Sequence, residues 1–388
     1  MLNKLRLLTP GPTPLPEEVR LAMARDMVHH RKAGFKAVLA EVQEGLQMLL
    51  GTSQPVLTLT CSGTGAMDAA VSGLFSPGEK VLVVEAGKFG QRFSQIARRR
   101  GLLVAAQPLP WGQAAGPDMI RYALESDKDI TGVLVQASET STGVLHPIRE
   151  IAQVTRSHGV LLVVDGISAV GISPLPMDDW GIDCLLTGSQ KGLMLPPGLA
   201  FLALSEKAWA RAETAAPGSF YFDLTGELAN IKKNQTLFTP AVSLIVGLQE
   251  SLRLFKAAGL EAIHRKQWAL TMGCRAGAAA MGLEMFAPKH FAWGMTAVAL
   301  PEGVDGTRLL QVAAEKFGVV MAGGQDHLKG RIVRIGHMGH VDFGDLLAGL
   351  YAFRRSLEIC GGFTACDDYL ERAMAAYEDA LAQGHPAQ

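Results

Sequence analysis

The chain of 388 residues is longer than one hydrophobic core usually supports, so two domains are expected. Hydrophobic residues make up 48% of it and charged residues 19%, a composition that excludes a disordered chain. The net charge of -1 disfavours nucleic acid and anionic membrane surfaces as partners, which leaves small molecules and further copies of the chain.

The cysteines and the first residues of the chain bear on its location. Five cysteines are scattered without the C-x-x-C spacing of zinc or redox sites, so reduced thiols are expected. No long apolar stretch follows Met1, so neither a signal peptide nor a transmembrane helix is expected. These features predict a cytoplasmic protein without a bound metal.

The first two thirds of the chain alternate short apolar runs with helical patterns. Residues 8–16 (LTPGPTPLP) predict an extended arm, and residues 35–50 and 148–157 predict helices. The predicted strands are residues 56–60, 81–85, 102–106, 131–136, 160–164, 184–187 and 199–204. Because these strands are continuously apolar, we expect helices on both faces of a doubly wound, mostly parallel α/β sheet.

A glycine-rich turn, CSGTGA at residues 61–66, follows the first predicted strand and precedes a helical pattern that begins near Met67. Backbone N–H groups of such a turn, a helix start and the Thr64 hydroxyl can together bind a phosphate. The turn lacks the lysine of a Walker loop, and Asp68 stands where a dinucleotide-binding loop has its third glycine. Nucleotide binding is therefore disfavoured.

Two further residues follow buried strands and carry candidate chemistry. Asp165 ends the run VLLVV, where a carboxylate needs a partner, although capping of the next segment is an equal alternative. Lys191 lies in the small-residue loop TGSQKG at residues 187–192. A partly desolvated lysine there has the lowered pKa that attack on a carbonyl requires, but an ordinary surface lysine is the alternative.

The last third of the chain changes in character. A helical pattern covers residues 243–256, and weaker strands are predicted at 296–300 and 332–335. We therefore expect an arm at residues 1–16, a large domain at 17–256 and a smaller C-terminal domain at 257–388.

Adjacent histidines at positions 29 and 30 precede Arg31. Neighbouring side chains point to different sides of a regular element, and no acidic residues cluster nearby, so a metal site is disfavoured. A structural role or a place at the substrate entrance is the favoured interpretation.

The phosphate-type turn, Asp165 and Lys191 together resemble the class V (fold type I) aminotransferases, most closely the alanine:glyoxylate, serine:glyoxylate and serine:pyruvate branch. The resemblance covers nearly the whole chain. Its further motifs, in order, are PGP at 10–12, HHR at 29–31, GKFGQR at 87–92, ETSTG at 139–143, SQK at 189–191, SFY at 219–221, FTP at 238–240 and VRIG at 333–336. The resemblance implies a pyridoxal phosphate enzyme with a large, mostly parallel α/β domain and a smaller C-terminal α+β domain.

The family's site residues can be transferred to matching positions of this chain. Lys191 would hold the cofactor as an imine (Schiff base) and act as general base, and Asp165 would keep the pyridine nitrogen protonated. Thr64, Gly65 and Gln190 would bind the phosphate.

Further positions would complete the site. Phe89 would stack on the ring, Ile167 would pack on its other face, and Thr140 would lie near the ring hydroxyl. Thr239 would reach the phosphate from the neighbouring subunit, which implies a homodimer with shared active sites. Arg334 would bind the substrate carboxylate through two hydrogen bonds. Phe89 and Ile167 as core residues, and Arg334 as a structural arginine, are the alternatives.

Two positions depart from the pattern of some relatives. Ala66, which we place among the cofactor contacts, stands where cysteine desulfurases carry a histidine, and this argues against desulfurase chemistry. Thr236 stands where some relatives carry a tyrosine on the phosphate, so its contact with the phosphate stays open.

The resemblance implies ping-pong transamination between serine or alanine and glyoxylate or pyruvate. The alternatives are 2-aminoethylphosphonate transamination, a desulfurase or lyase activity, and a silent homologue that only binds. The late cysteines Cys360 and Cys366 are the only candidates for desulfurase chemistry, and neither lies in a recognisable motif.

Overall fold

The computed structural model describes residues 4–216, 218–361 and 366–386. Its strands are β1 (Arg6–Leu7), β2 (Val56–Leu59), β3 (Lys80–Glu85), β4 (Leu103–Pro108), β5 (Ile130–Gln136), β6 (Ser138–Glu139), β7 (Val144–Leu145), β8 (Leu161–Asp165), β9 (Cys184–Gly188), β10 (Ala200–Leu204), β11 (Met295–Ala299), β12 (Val319–Val320), β13 (Ala322–Gly323) and β14 (Ile332–Gly336). None of the helices within these ranges is long and apolar enough to span a membrane.

The helices alternate with the strands through the first two thirds of the chain and dominate the last third. They are α1 (Glu17–Met23), α2 (Ala33–Leu50), α3 (Gly63–Leu74), α4 (Lys88–Arg99), α5 (Pro117–Ser126), α6 (Ile148–Ser157), α7 (Met177–Trp180), α8 (Glu206–Thr214), α9 (Leu224–Ile231), α10 (Val242–Ala258), α11 (Leu260–Ala280), α12 (Gly306–Phe317), α13 (Phe343–Gly361) and α14 (Tyr369–Gln383).

The central sheet has seven strands in the order β2-β10-β9-β8-β5-β3-β4. Only β10 is antiparallel to its neighbours, and the other pairs are parallel. These seven strands are the seven predicted ones, with ends that agree within two residues. The predicted mostly parallel α/β sheet is therefore confirmed.

Apolar cores cover both faces of the sheet because successive strand residues point to opposite sides. Within β8, Leu162 and Val164 belong to one hydrophobic cluster, whereas Leu161 and Val163 belong to another. The edge strand β4 differs, since its Leu103 is 55% exposed. The prediction that every strand is covered on both faces is wrong there, because β4 lies at the edge of the sheet, where the covering helices leave part of the strand exposed.

The last third of the chain forms a separate three-stranded antiparallel sheet, β11-β14-β13, with helices α11 to α14 around it. The boundary proposed at residue 257 falls in the last turn of α10, just before Gly259. The N-terminal arm joins this C-terminal part: β1 pairs with β12, and Leu8 lies in its hydrophobic cluster.

Candidate active site

The carboxyl ends of the parallel strands meet at one edge of the central sheet, where ligand sites of such sheets usually lie. Asp165 ends β8 there, and the loop after β9 carries Lys191. Segments after β2, β3, β5, β8 and β9 together enclose one cavity. It is lined by Ser62, Gly63, Thr64, Met67, Phe89, Arg92, Ser138, Thr140, Asp165, Ile167, Ser168, Gln190 and Lys191.

Lys191 is buried beneath the N-terminal arm. Its ammonium donates a hydrogen bond to the carbonyl oxygen of Pro10, and its own carbonyl accepts one from the Thr13 hydroxyl at 3.0 Å. A Cβ at Gly11 would lie only 2.6 Å from the Lys191 Nζ, so the close approach requires glycine there. Burial, helped by the charge of Arg334 and opposed by Asp165, lowers the pKa of Lys191 to about 8.

The carboxylate of Asp165 is buried, and its Oδ1 accepts a hydrogen bond from the Ile167 N–H at 2.9 Å. Burial is the main reason why its pKa is raised to about 7, and the nearby charge of Glu139 adds to it. The positive charges of Lys191 and Arg92 act in the opposite direction. A cationic group in the cavity would therefore favour the ionised carboxylate.

The first turn of α3 borders the cavity. This helix begins at Gly63 rather than near Met67, because the glycine-rich turn itself adopts helical geometry, so Thr64 lies in its first turn. The Thr64 hydroxyl accepts a hydrogen bond from Arg92 Nη1 at 3.0 Å. The Gly65 N–H donates to the Ser62 carbonyl at 2.8 Å, and the other N–H groups of this helix start and the Arg92 guanidinium together suit an anion.

The predicted ring contacts face the same cavity. The Phe89 ring, on the first turn of α4, lies 4.9 Å from the guanidinium carbon of Arg92. Ile167 approaches α3 so closely that a Cβ at Gly63 would lie 2.4 Å from its Cδ1. The Thr140 hydroxyl lies 2.6 Å from that of Ser168.

Arg334 is buried on β14 and reaches the same region from the C-terminal part of the chain. Its Nη1 donates to the Thr140 carbonyl at 2.9 Å and its Nε to the Gly323 carbonyl at 2.8 Å. Burial lowers its pKa, but a guanidinium stays charged at neutral pH. These two bonds fix the guanidinium beside the cavity and leave further N–H groups for a ligand.

Four of the predicted site residues do not line the cavity. Gly65 and Ala66 lie one step further along α3, where the Ala66 methyl is buried in the hydrophobic core. Arg334 is separated from the cavity by Thr140, to whose carbonyl it donates, and Thr239 is exposed outside the cavity. The Thr236 hydroxyl donates to the Phe238 carbonyl at 2.6 Å.

The histidine pair and Arg31 make different contacts. The two imidazole rings stack on each other with centroids 5.0 Å apart. Arg31 donates to the Gln235 side chain at 2.9 Å and to two backbone carbonyls, and so holds the segment before Thr239. Across the described ranges, no three His, Cys, Asp or Glu side chains are grouped so that they could hold a metal ion.

Arg92 and Ser138 line the cavity, although no role was predicted for either of them from the sequence. Arg92 follows Phe89 by three residues, and this spacing places two side chains on one face of a helix. That signal could have identified Arg92. Ser138 carries no comparable signal, although its buried hydroxyl lacks a hydrogen-bond partner within the described part of the chain.

Comparisons with known proteins agree on one family. The Aminotransferase class-V model matches residues 9–341. A Synechococcus chain named "Soluble hydrogenase, small subunit" is 38% identical over 93% of this chain and 95% of its own length. The L-aspartate–glyoxylate aminotransferase of Paracoccus denitrificans is 35% identical over 90% of both chains. The serine–glyoxylate aminotransferase of Methylorubrum extorquens is 33% identical over 90% of both chains.

Solved structures agree with the sequence comparisons. The crystal structure of pyridoxamine–pyruvate aminotransferase from Mesorhizobium loti superposes with a TM-score of 0.93 at 29% identity, and the match covers 97% of this chain and 98% of that one. The expected fold type I architecture is thus confirmed, and pyridoxal phosphate is the cofactor that the family implies. This chain belongs to the class V aminotransferase family.

Proposed function

We propose that the protein transfers the amino group of serine or alanine to glyoxylate or pyruvate in two alternating half-reactions. The observation that carries the proposal is the burial of Lys191 and Asp165 in one cavity, with Arg334 fixed beside it. The Paracoccus, Methylorubrum and Mesorhizobium relatives are named for glyoxylate or pyruvate, and this supports the proposed acceptor.

The groups that line the cavity fit pyridoxal phosphate. Asp165 offers a buried carboxylate to a pyridine nitrogen, and Arg92 with the first turn of α3 offers positive charge and donors to a phosphate. The Gln190 Oε1 is buried and has no hydrogen-bond partner in the described ranges, as expected of a group that awaits a ligand. When bound, the cofactor accepts electrons from the substrate's Cα as its proton leaves.

Lys191 is the residue that both carries the cofactor and moves the proton. Its pKa of about 8 leaves an appreciable fraction of neutral amine at neutral pH, and a neutral amine can attack a carbonyl carbon. Once a substrate amine takes its place, the free Lys191 Nζ removes the Cα proton and later returns it. The arm over Lys191 keeps bulk water from the amine, because Pro10 is buried against it.

Arg334 binds and orients the substrate. Its Nε and Nη1 are occupied by backbone carbonyls, so the guanidinium plane is held still while the remaining N–H groups face a carboxylate. Serine, alanine, glyoxylate and pyruvate all carry that carboxylate. One arginine therefore serves both half-reactions.

We assign the active form to a homodimer in which Thr239 serves the partner's phosphate site. Thr239 is exposed and lies outside the cavity of its own chain, as this role requires. A surface groove of about 760 Å³ nearby is lined by Phe220, Phe222 and Phe238, and Phe220 is 88% exposed. Such an apolar surface suits a subunit interface.

A cytoplasmic location also remains part of the proposal. All five cysteines are free thiols, as expected in a reducing compartment.

A matrix of amino donors and keto acceptors tests the proposed function. Serine with glyoxylate or pyruvate, and alanine with glyoxylate, should give the highest kcat/KM, and alanine without acceptor should release one pyruvate per site. Aspartate, 2-aminoethylphosphonate and cysteine are the comparison donors, with sulfide release measured for cysteine. A preference for one of these, or hydrogen turnover without transamination, would contradict the proposal.

A further inference from the structure

The first turn of α4 carries Phe89 and leads to Arg92, yet it has no cap of its own. Its N-cap residue is Gly87, which has no side chain that could accept from the first backbone N–H groups. Uncapped helix starts leave such donors without partners. The partners come instead from a segment about fifty residues later in the chain.

Glu139 and Ser141 supply this cap. The Glu139 Oε2 accepts from the N–H groups of Phe89 and Gly90, both at 3.0 Å. The Ser141 hydroxyl accepts from the Lys88 N–H at 2.9 Å. A carboxylate at this position also opposes the positive end of the helix dipole.

The other oxygen of Glu139 holds its own loop. Its Oε1 accepts from the Ser141 N–H at 3.1 Å and from the Ser141 hydroxyl at 2.5 Å. All the contacts to the carboxylate come from donors, so the arrangement fits the ionised form, although burial raises the pKa of Glu139. A Cβ at Gly87 would lie 2.6 Å from the Glu139 Cδ, so only glycine admits this approach.

The loop that Glu139 holds is connected to the substrate side of the site. Its next residue, Thr140, lines the cavity and accepts from Arg334 through its carbonyl. Glu139 itself is fully buried and does not line the cavity. It can therefore affect a ligand only indirectly, through the residues that it places and through its charge, which raises the pKa of Asp165.

We infer that Glu139 is a positioning residue of the active site, whose single carboxylate fixes the α4 start with Phe89 and the loop that joins Thr140 to Arg334. The inference rests on the proposed function, since it treats Phe89 as a cofactor contact and Arg334 as a substrate contact. One side chain would thus align the proposed cofactor contact with the proposed substrate contact.

The test compares Glu139→Gln with Glu85→Gln. Glutamine keeps the shape but replaces one acceptor oxygen by an NH2 group, so one of the two sets of donors loses its partner. Glu85 is the matched control, because it accepts a hydrogen bond from Ser94 on the same helix and does not line the cavity. Both variants remove a carboxylate that contacts α4.

Three measurements are made on each variant: amide hydrogen exchange at Phe89 and Gly90, the dissociation constant for pyridoxal phosphate by equilibrium dialysis, and KM for the amino donor. Loss of bonds to a charged acceptor should speed exchange and raise the dissociation constant or KM by about tenfold to a hundredfold in Glu139→Gln. Glu85→Gln should leave all three at the wild-type values.

Ser141→Ala is the second variant and serves alone if Glu139→Gln does not fold, since it keeps the charge of Glu139 and removes only the hydroxyl that links Glu139 to the Lys88 N–H. It should speed exchange at Lys88 and raise KM or the cofactor dissociation constant by about threefold to tenfold. The inference would be overturned if the exchange rates, the cofactor dissociation constant and KM in the Glu139 and Ser141 variants equalled those of Glu85→Gln. Failure of the wild-type protein to bind the cofactor would overturn the proposed function instead, and hydrogen exchange would still show whether Glu139 fixes the start of α4.

Discussion

At the scale of the residue, Arg334 makes two structural hydrogen bonds, and we propose that it also binds the substrate. We expect Arg334→Ala to lower kcat/KM for amino and keto acids by about tenfold to a hundredfold, because a charge-assisted pair with the carboxylate is lost. Arg334→Lys should lose less, since lysine keeps the charge but not the planar fork. Steady-state kinetics of both half-reactions measures the effect.

The Arg334 prediction has a matched control in Arg275. That arginine is partly buried and also donates to two backbone carbonyls, of Ala287 and Pro288, but lies away from the cavity. Arg275→Ala and Arg334→Ala should both lower the melting temperature, whereas only Arg334→Ala should lower kcat/KM. Equal kcat/KM in the two variants would remove Arg334 from the substrate site.

The sequence indicates candidate catalytic residues better than it indicates the residues that position them. Asp165 and Lys191 lie at the carboxyl ends of two strands that the sequence predicts. Because these strands are parallel, the two residues are expected at the same edge of the sheet. The contacts of Glu139 with Phe89 and Gly90 join two segments that show no reciprocal sequence signal. Such contacts depend on how a loop packs on a helix, which hydrophobic periodicity does not specify.

At the scale of the element, the start of α3 is shaped by its contact with Ile167. Gly63→Ala should raise the dissociation constant for pyridoxal phosphate by about tenfold or more, because the new methyl pushes the Ile167 side chain into the ring site. Equilibrium dialysis measures this, and the melting temperature should hardly fall, since alanine favours a helix more than glycine does.

Gly34→Ala is the control for Gly63→Ala. Gly34 also lies in the first turn of a helix, α2, and a Cβ there would meet no atom within 4 Å. Its cofactor affinity should equal that of the wild type. An unchanged affinity in Gly63→Ala as well would show that this glycine does not shape the site.

The helices and strands were easier to predict from the sequence than their exposure and their contacts. All seven strands of the central sheet follow from short apolar runs, since buried strands leave that pattern. The exposed face of β4 and the start of α3 at Gly63 did not follow, because strand order and turn geometry decide them. The path of the arm over Lys191 likewise depends on tertiary contacts of Pro10 and Thr13.

At the scale of the whole molecule, buried histidines link stability to pH. Burial lowers the pKa of His337 from 6.5 to about 3, and its ring contacts Gln267 and Thr296 at 3.2 and 3.0 Å. Between these values the unfolded chain binds a proton that the folded chain does not. The free energy of unfolding therefore falls as pH falls below 6.5.

Between pH 7 and pH 5 the wild type should lose about 2 kcal/mol more than His337→Gln, as denaturant titrations at both pH values would show. His327→Gln, at an exposed position, is the control, and its free energy of unfolding should change between the two pH values as that of the wild type does. Parallel pH dependences in the wild type and His337→Gln would contradict the assignment.

Shared active sites can be tested by mixing two inactive chains. A Lys191→Ala chain still offers Thr239, and a Thr239→Trp chain still offers Lys191, so each heterodimer should regain one working site. Lys191→Ala mixed with Asp165→Asn is the control, because both residues belong to one chain's cavity, and this mixture should stay inactive. Verified heterodimers without recovered activity would count against the shared site.

The measurement that tests the central claim most directly is borohydride reduction of the yellow holoenzyme, followed by peptide mapping by mass spectrometry. Reduction should fix the cofactor covalently on one peptide, the one that contains Lys191, and Lys191→Ala should bind the cofactor without becoming labelled. Label on a different lysine, or the same labelling of Lys191→Ala as of the wild type, would contradict the assignment of Lys191 as the residue that carries the cofactor.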